Sequence, residues 1–213
     1  MTTLPVQLTT PVVILADGDF PRHPTPLSIL QKAGTIVCCD GAAEKLLQHG
    51  KQPDYIVGDM DTISAALQQE LVSILHPSAD QETNDLTKAV RFCVEHGCTK
   101  VTILGGSGGR EDHSLGNISL LADYAALLQV EMVTDTGIFT PALKSISFES
   151  YPGEKMSIFC LTPATQIIAE GLRYPTDKVV FDSWWKGTLN EATGNTFRLN
   201  FDKGKVIVYR AFS

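Results

Sequence analysis

Through the first two thirds of the chain, short apolar runs alternate with stretches of helical period. PVVIL, TIVCC, DYIVG and KVTIL carry no polar alternation, which is how parallel strands covered on both faces read. The first leads into ADGD. The second leads through a turn into the helical pattern of AAEKLLQHG. The third is followed by a predicted helix over ISAALQQELVSIL, residues 63–75. HPSADQETNDLTKAVRFCVEHG is a short segment running into a helix. KVTIL passes through the glycine-rich GGSGGREDH into a helix over HSLGNISLLADYAALL, and VEMVTD is a further strand. Strand and helix in turn imply βαβ units with right-handed crossovers.

The pattern changes near Pro141. SISFES, KMSIFCLT and QIIAEGL are short strands, and no helical period follows Leu143. In TFRLNFDKGKVIVYRAF, Phe197, Leu199 and Phe201 alternate with polar residues, DKGK turns the chain, and Val206 and Val208 resume the alternation. That predicts a hairpin. The stretch 137–145 reads as a linker. The expected fold class is therefore α/β: an N-terminal doubly wound, mostly parallel sheet with helices on both faces over residues 1–140, followed by a smaller all-β sandwich over 141–213.

Composition narrows the function classes. The chain of 213 residues is 43% hydrophobic and carries a formal net charge of −7, an ordinary globular balance. No Lys/Arg block suggests a nucleic-acid surface, and no apolar stretch is long enough to span a bilayer. Neither nucleic acid nor membrane is expected as a partner. The five cysteines match no zinc or redox spacing, and the opening MTTLPVQLTTP lacks the basic-then-apolar pattern of a signal peptide. A cytoplasmic protein with free, buried thiols is the expected setting.

In an open α/β sheet, ligands bind beyond the carboxyl ends of the strands. Each predicted strand end here carries an acid: Asp17 and Asp19, then Asp40 beside Gly41, then Asp59 and Asp61, then Gln81 to Asp85, then GGSGGREDH. Aspartate and glycine are common in such loops for local capping and turning reasons. Acids at five strand ends sharing one sheet edge point instead to a cation that relieves their repulsion. Mg²⁺ fits, because it takes hard oxygen ligands from carboxylates and substrate phosphates. On extended chain Asp59 and Asp61 point to one side; Asp61 also stands where a helix N-cap would, as does Asp85. Lys88 either reaches a phosphate or lies in solvent. Gly106, Gly108 and Gly109 allow close approach of a phosphate, and Arg110 supplies a fork for it. The run is neither a P-loop nor a dinucleotide fingerprint. His113 reads equally as a ligand or as a polar neighbour of a helix start. Trp184 and Trp185, near Tyr174, face opposite sides if they lie on a strand, leaving one for stacking on a flat heterocycle or for a subunit interface.

Taken together, CDGAAEKL, PDYIVGDMDTI, QETNDLTKA, GGSGGREDHSLGN, EGLRY and GTLNE resemble the motifs of the thiamine pyrophosphokinase family, in that order and over nearly the whole chain. Departures are Ala42 for a second glycine, Thr62 for serine, Asn84 for threonine and Leu189 for serine. The resemblance implies transfer of a pyrophosphoryl group from ATP to the hydroxyl of thiamine, with Mg²⁺, in a homodimer. It implies Asp59, Asp61 and Asp85 around the metal, with one carboxylate helping the thiamine hydroxyl and Asp112 supporting Arg110 or the metal. Asp17, Asp40, Gly41, Lys88, Gly106, Gly108, Gly109, Arg110 and His113 would face ATP and its phosphates. Gln81, Thr188, Asn190 and Trp185 would face thiamine, making the N-terminal domain the ATP/Mg²⁺ side and the β domain the thiamine side. A rival reading takes DMDT as the Asp-x-Asp-x-Thr motif of haloacid-dehalogenase-type phosphatases, in which the first Asp is a nucleophile. That motif ends a first strand, whereas two strand–turn units precede it here. A nucleotide-sensing module without turnover is the non-enzyme reading.

Overall fold

The structure, a computed structural model, describes residues 6–163 and 165–213. The first five residues of the opening segment, read above for a signal peptide, lie outside the described residues. The chain divides into two compact units, one running to Leu120 and including Leu127–Asp135, the other made of Leu121–Ala126 and Thr136–Ser213.

The first unit is built on β1 (Val12–Leu15), α1 (Pro24–Gln31), β2 (Thr35–Cys39), α2 (Ala42–Gln48), β3 (Tyr55–Gly58), α3 (Ala65–Glu70), β4 (Leu75–Pro77), α4 (Asp85–Glu95), β5 (Lys100–Leu104) and β6 (Gln129–Val133), while α5 (Glu111–Tyr124) begins in it. The strands lie in the order β6-β5-β1-β2-β3-β4, all pairs parallel. Every residue of β1 and β2 is buried, so the sheet is covered on both faces, as the uninterrupted apolar runs required. Strand order reverses between β1 and β5. The loops that leave those two strands are laced together by main-chain bonds, with Gly18 N–H donating to Gly105 O at 2.8 Å and Asp19 N–H to Ser107 O at 2.9 Å.

Two elements differ from expectation. The helix predicted over 63–75 stops at Glu70; Val72–Ile74 is a single 3₁₀ turn, and Leu75–Pro77 joins the sheet edge beside β3. Parallel pairing with β3 satisfies the backbone of this stretch, whose Pro77 could not continue a helix. Helix α1, unforeseen, carries Pro24 and Pro26 in its first turn, where a missing N–H is harmless.

The second unit holds β7 (Gly137–Ala142), β8 (Ile146–Glu149), β9 (Lys155–Cys160), β10 (Ile168–Glu170), β11 (Asn190–Glu191), β12 (Thr196–Asn200) and β13 (Val206–Ala211). The expected linker at 137–145 is mostly strand β7, antiparallel to β13. The expected hairpin is not formed. β13 pairs with β7 and β9, whereas β12 pairs with β8 and β10 in a second sheet. Alternation reports that a strand has one buried face but not which strand it pairs with. DKGK thus carries the chain from one sheet to the other, and Phe197 and Leu199 meet Val206 and Val208 in a common core. Phe197 is fully buried and stacks on Phe148 with ring centroids 4.8 Å apart. Phe197→Ala is expected to destabilise this unit by about 3–5 kcal/mol, read as a lower denaturant midpoint; a midpoint unchanged from wild type contradicts this packing.

Among the described residues no helix is long and apolar enough to cross a membrane. All five cysteines are unpaired, four of them buried.

Candidate active site

A cavity of about 450 Å³ opens over the carboxyl ends of the strands at the β1/β5 reversal, where ligands bind in open α/β sheets. Its wall includes Asp17, Asp59, Gln81, Asp85, Lys88, Gly106, Gly108, Gly109, Arg110 and His113. The loops after β1, β3, β4 and β5 therefore meet in one place. Lys88, given two possible fates from sequence, is buried: its side chain is 5% exposed, 2.8 Å from Asp85 and 3.9 Å from Asp59. Burial pulls its pKa down, but the hydrogen bond and charge of Asp85, with Asp59 and Asp80, outweigh it and leave the ammonium above its ordinary value.

The acidic pair is arranged differently from the extended geometry expected. Met60, between Asp59 and Asp61, has φ +68°, and the chain turns so that Asp61 N–H donates to Asp59 Oδ1 at 3.3 Å. The turn still brings one carboxylate oxygen each of Asp40, Asp59 and Asp61 within 4.8 Å of one another. Asp40 is the buried member, 2% exposed; its Oδ2 accepts from Thr62 N–H at 3.2 Å and its Oδ1 has no hydrogen-bond partner among the described residues. A buried carboxylate with one unpartnered oxygen, grouped with two more carboxylates, fits a hard cation. Burial raises the Asp40 pKa. The Asp61 N–H lowers that of Asp59, while hydrogen bonding and repulsion from Asp59 raise that of Asp61.

Neither aspartate suspected of capping does so. Ser64 caps α3, accepting from Leu67 N–H, and Asn84 caps α4, accepting from Thr87 N–H at 2.9 Å. Asp85, expected as a third metal ligand, pairs with Lys88 one turn further along α4, while Asp40 joins Asp59 and Asp61 in the acidic cluster. Gly41 is the N-cap residue before α2, its bare Cα against the Asp17 carboxylate and the Thr62 hydroxyl. Arg110 and Asp112 are exposed and form a bidentate pair, Nε–Oδ1 at 3.1 Å and Nη2–Oδ2 at 2.5 Å. The hydrogen bonds that Arg110 donates to Asp112 raise the Arg110 pKa and lower the Asp112 pKa. His113 is exposed at the cavity rim.

Sequence reasoning assigned no task to several organising side chains. Lys45 Nζ bonds Asp17 Oδ1 at 2.9 Å and donates to Asp17 O and Gly18 O at 2.7 and 2.8 Å, fixing the loop after β1. Ser114 Oγ accepts from Gly108 N–H and donates to Arg110 O. Asn117 Nδ2 donates to Gly106 O, and its Oδ1 accepts from Asn84 Nδ2, tying the glycine loop to the start of α4. Asn117 closes the GGSGGREDHSLGN motif, and Ser114 lies one turn after Arg110, so spacing signalled both. Lys45 had no such signal. Cys39 lines the cavity, and burial raises its pKa well above the ordinary thiol value.

In the second unit, Trp184 and Trp185 lie on a 3₁₀ turn, Trp184–Gly187, not on a strand, and Trp185 is 71% exposed. Thr188 Oγ1 donates to Trp185 O at 2.7 Å. Asn190 is buried; its side chain accepts from Tyr174 N–H and Glu191 N–H and donates to Tyr174 O at 2.8 Å. It therefore latches the Tyr174 backbone in place.

A family model described as thiamin pyrophosphokinase, catalytic domain, matches residues 27–133, and one described as thiamin pyrophosphokinase, substrate-binding domain, matches 137–209. Thiamine pyrophosphokinase 1 of Oryza sativa subsp. japonica is 30% identical over 152 residues, 60% of this chain and 57% of that protein. Thiamin pyrophosphokinase 1 of Caenorhabditis elegans is 30% identical over 116 residues, 48% and 47% of the two chains. The matches span about half the length of these curated relatives. Among solved structures, thiamine pyrophosphokinase from Bacillus subtilis superposes with a TM-score of 0.78 at 20% identity, covering 95% of this chain and 99% of that one. Thiamin pyrophosphokinase from Candida albicans gives 0.76 at 17%, covering 94% and 90%. At these identities the structural likeness concerns the fold.

Proposed function

The chain belongs to the thiamin pyrophosphokinase family, and from that premise we propose that it transfers a pyrophosphoryl group from ATP to the hydroxyl of thiamine, giving thiamine diphosphate and AMP. The observation that carries this reading is the meeting of Asp40, Asp59 and Asp61, with Asp59 3.9 Å from buried Lys88 and both Asp59 and Lys88 on the wall of the cavity at the β1/β5 reversal. Asp59 and Asp61, with Asp40 behind them, would hold Mg²⁺. When bound, Mg²⁺ neutralises charge on the polyphosphate and on the transferring group. Lys88 and Arg110 hold phosphate oxygens, with Asp112 fixing the plane of the guanidinium. Gly106, Gly108 and Gly109 let backbone approach the phosphates, while Asp17, Gly41 and His113 complete the ATP side. Asp85, kept on the cavity wall by Lys88, orients the thiamine hydroxyl, and Gln81 contacts thiamine. In the β unit, exposed Trp185 offers a ring face to a flat, cationic heterocycle, with Thr188 beside it and Asn190 positioning Tyr174. Such transfer needs neutralised charge and alignment more than covalent catalysis. A homodimer in a reducing cytoplasm completes the proposal; the unpaired cysteines support the compartment, and the exposed Val180, Trp184, Trp185 and Leu189 support an interface.

Incubation with ATP, Mg²⁺ and thiamine, with products identified chromatographically, tests it. AMP and thiamine diphosphate formed in equal amounts are expected. Free phosphate released regardless of thiamine indicates the phosphatase, and nucleotide binding without product indicates the sensor.

A further inference from the structure

Helix α3 contributes no buried residue, so core packing does not account for it. One of its side chains turns back toward the acidic turn: Gln68 Nε2 donates to Met60 O at 2.8 Å and to Ile63 O at 3.0 Å. These two carbonyls bracket Asp61 and Thr62. Met60, at φ +68°, holds a conformation that side chains disfavour and that persists only where the surroundings impose it. Asp59 and Asp61, either side of it, carry like charges that push the turn open. The other bonds of the turn, from Asp61 N–H to Asp59 Oδ1 and from Thr62 N–H to Asp40 Oδ2, use the carboxylate oxygens that a cation would also claim. Gln68 ties the turn through carbonyls alone and leaves those oxygens unclaimed. Beyond Ile63, Glu44 Oε1 accepts from Ser64 N–H at 3.1 Å and anchors the start of α3.

We propose that Gln68 is a positioning residue that holds the Asp59–Met60–Asp61 turn in its cation-binding shape. This rests on the reading of Asp40, Asp59 and Asp61 as a Mg²⁺ seat. Groups that orient metal ligands without touching the metal set affinity by about 10- to 100-fold.

The test uses the full chain and its Gln68→Met variant, which keeps side-chain length and removes both donors; the surface position of α3 spares the core. Mn²⁺ replaces Mg²⁺ so that binding is read by electron paramagnetic resonance, without turnover. Mn²⁺ affinity is expected to fall about 10-fold in Gln68→Met, with Tm within about 2 °C of wild type and faster amide exchange confined to residues 59–64 in the metal-free protein. Equal Mn²⁺ affinity in the two proteins overturns the brace, whether Tm falls or not. A wild-type chain that takes up no Mn²⁺ overturns the metal reading and the brace with it.

Discussion

Asp59→Asn lowers formation of thiamine diphosphate by on the order of 10³-fold or more and leaves Tm within about 3 °C of wild type. The carboxamide has the carboxylate's shape, and its oxygen can still accept from Asp61 N–H, so the turn keeps that bond. What disappears is charge: the member of the Asp40–Asp59–Asp61 cluster that also lies 3.9 Å from Lys88. Stability changes little, because the lost attraction to Lys88 is offset by relief of repulsion between Asp59 and Asp61; the side-chain hydrogen bond with Asp59, and then its like charge, hold the Asp61 pKa above its ordinary value. The same coupling fixes the pH dependence of the wild type. Cation binding needs ionised carboxylates, and the raised pKa values of Asp61 and Asp40 let protons compete from above the ordinary carboxylate range. Half-saturating Mg²⁺ should therefore rise as pH falls toward that range and level off above it. Product formation at near wild-type rates in Asp59→Asn would refute the metal role. A large fall in Tm would show instead that the residue serves the fold.

Most of the sheet, and the edge where its loops converge, were legible because an uninterrupted apolar run has one physical explanation, a strand covered on both faces. The loop after each strand then names its own residues, which is how Asp17, Asp59, Asp85 and Arg110 were found. Pairing was less legible. TFRLN and KVIVY each display one buried face, yet they belong to opposing sheets, and nothing in their alternation distinguishes that from a hairpin. Pro24 and Pro26 concealed α1, since proline reads as a breaker until its place in the first turn is known. Within the site, sequence could not divide tasks among the acids: the i,i+3 spacing of Asp85 and Lys88 allowed the ion pair, but that Asp40 would be buried beside Asp59 depends on two separate strands lying adjacent. Lys45 reaches backbone carbonyls in the loop after β1, a contact set by tertiary proximity alone; Gln68 reaches back to Met60 and Ile63 in the turn that precedes its own helix, a contact that depends on the bend of that turn.

Gly18→Ala breaks the seam between the loops after β1 and β5, and with it the nucleotide side of the cavity. A Cβ on Gly18 falls 2.3 Å from Ser107 O and 2.5 Å from Gly105 O. Both are main-chain atoms, so no side-chain rotation clears them and the loops must part. Parting them breaks the bonds from Gly18 N–H to Gly105 O and from Asp19 N–H to Ser107 O. Overpacking and the lost hydrogen bonds together should destabilise the first unit by about 2–4 kcal/mol. The same movement carries Gly106, Gly108 and Arg110 away from Asp17 and Lys88 across the cavity they jointly line. Loss of such alignment weakens ATP binding by roughly 100-fold, measurable with a non-hydrolysable analogue at a temperature where the variant is still folded. Lys45→Met is the matched comparison. It removes three contacts to Asp17 and Gly18 from a half-exposed side chain but places no atom in the seam, so its stability loss should be about 1 kcal/mol. If Gly18→Ala binds the analogue as tightly as Lys45→Met does, the seam does not shape the phosphate site, and the glycine loop holds its position through Ser114 and Asn117 alone.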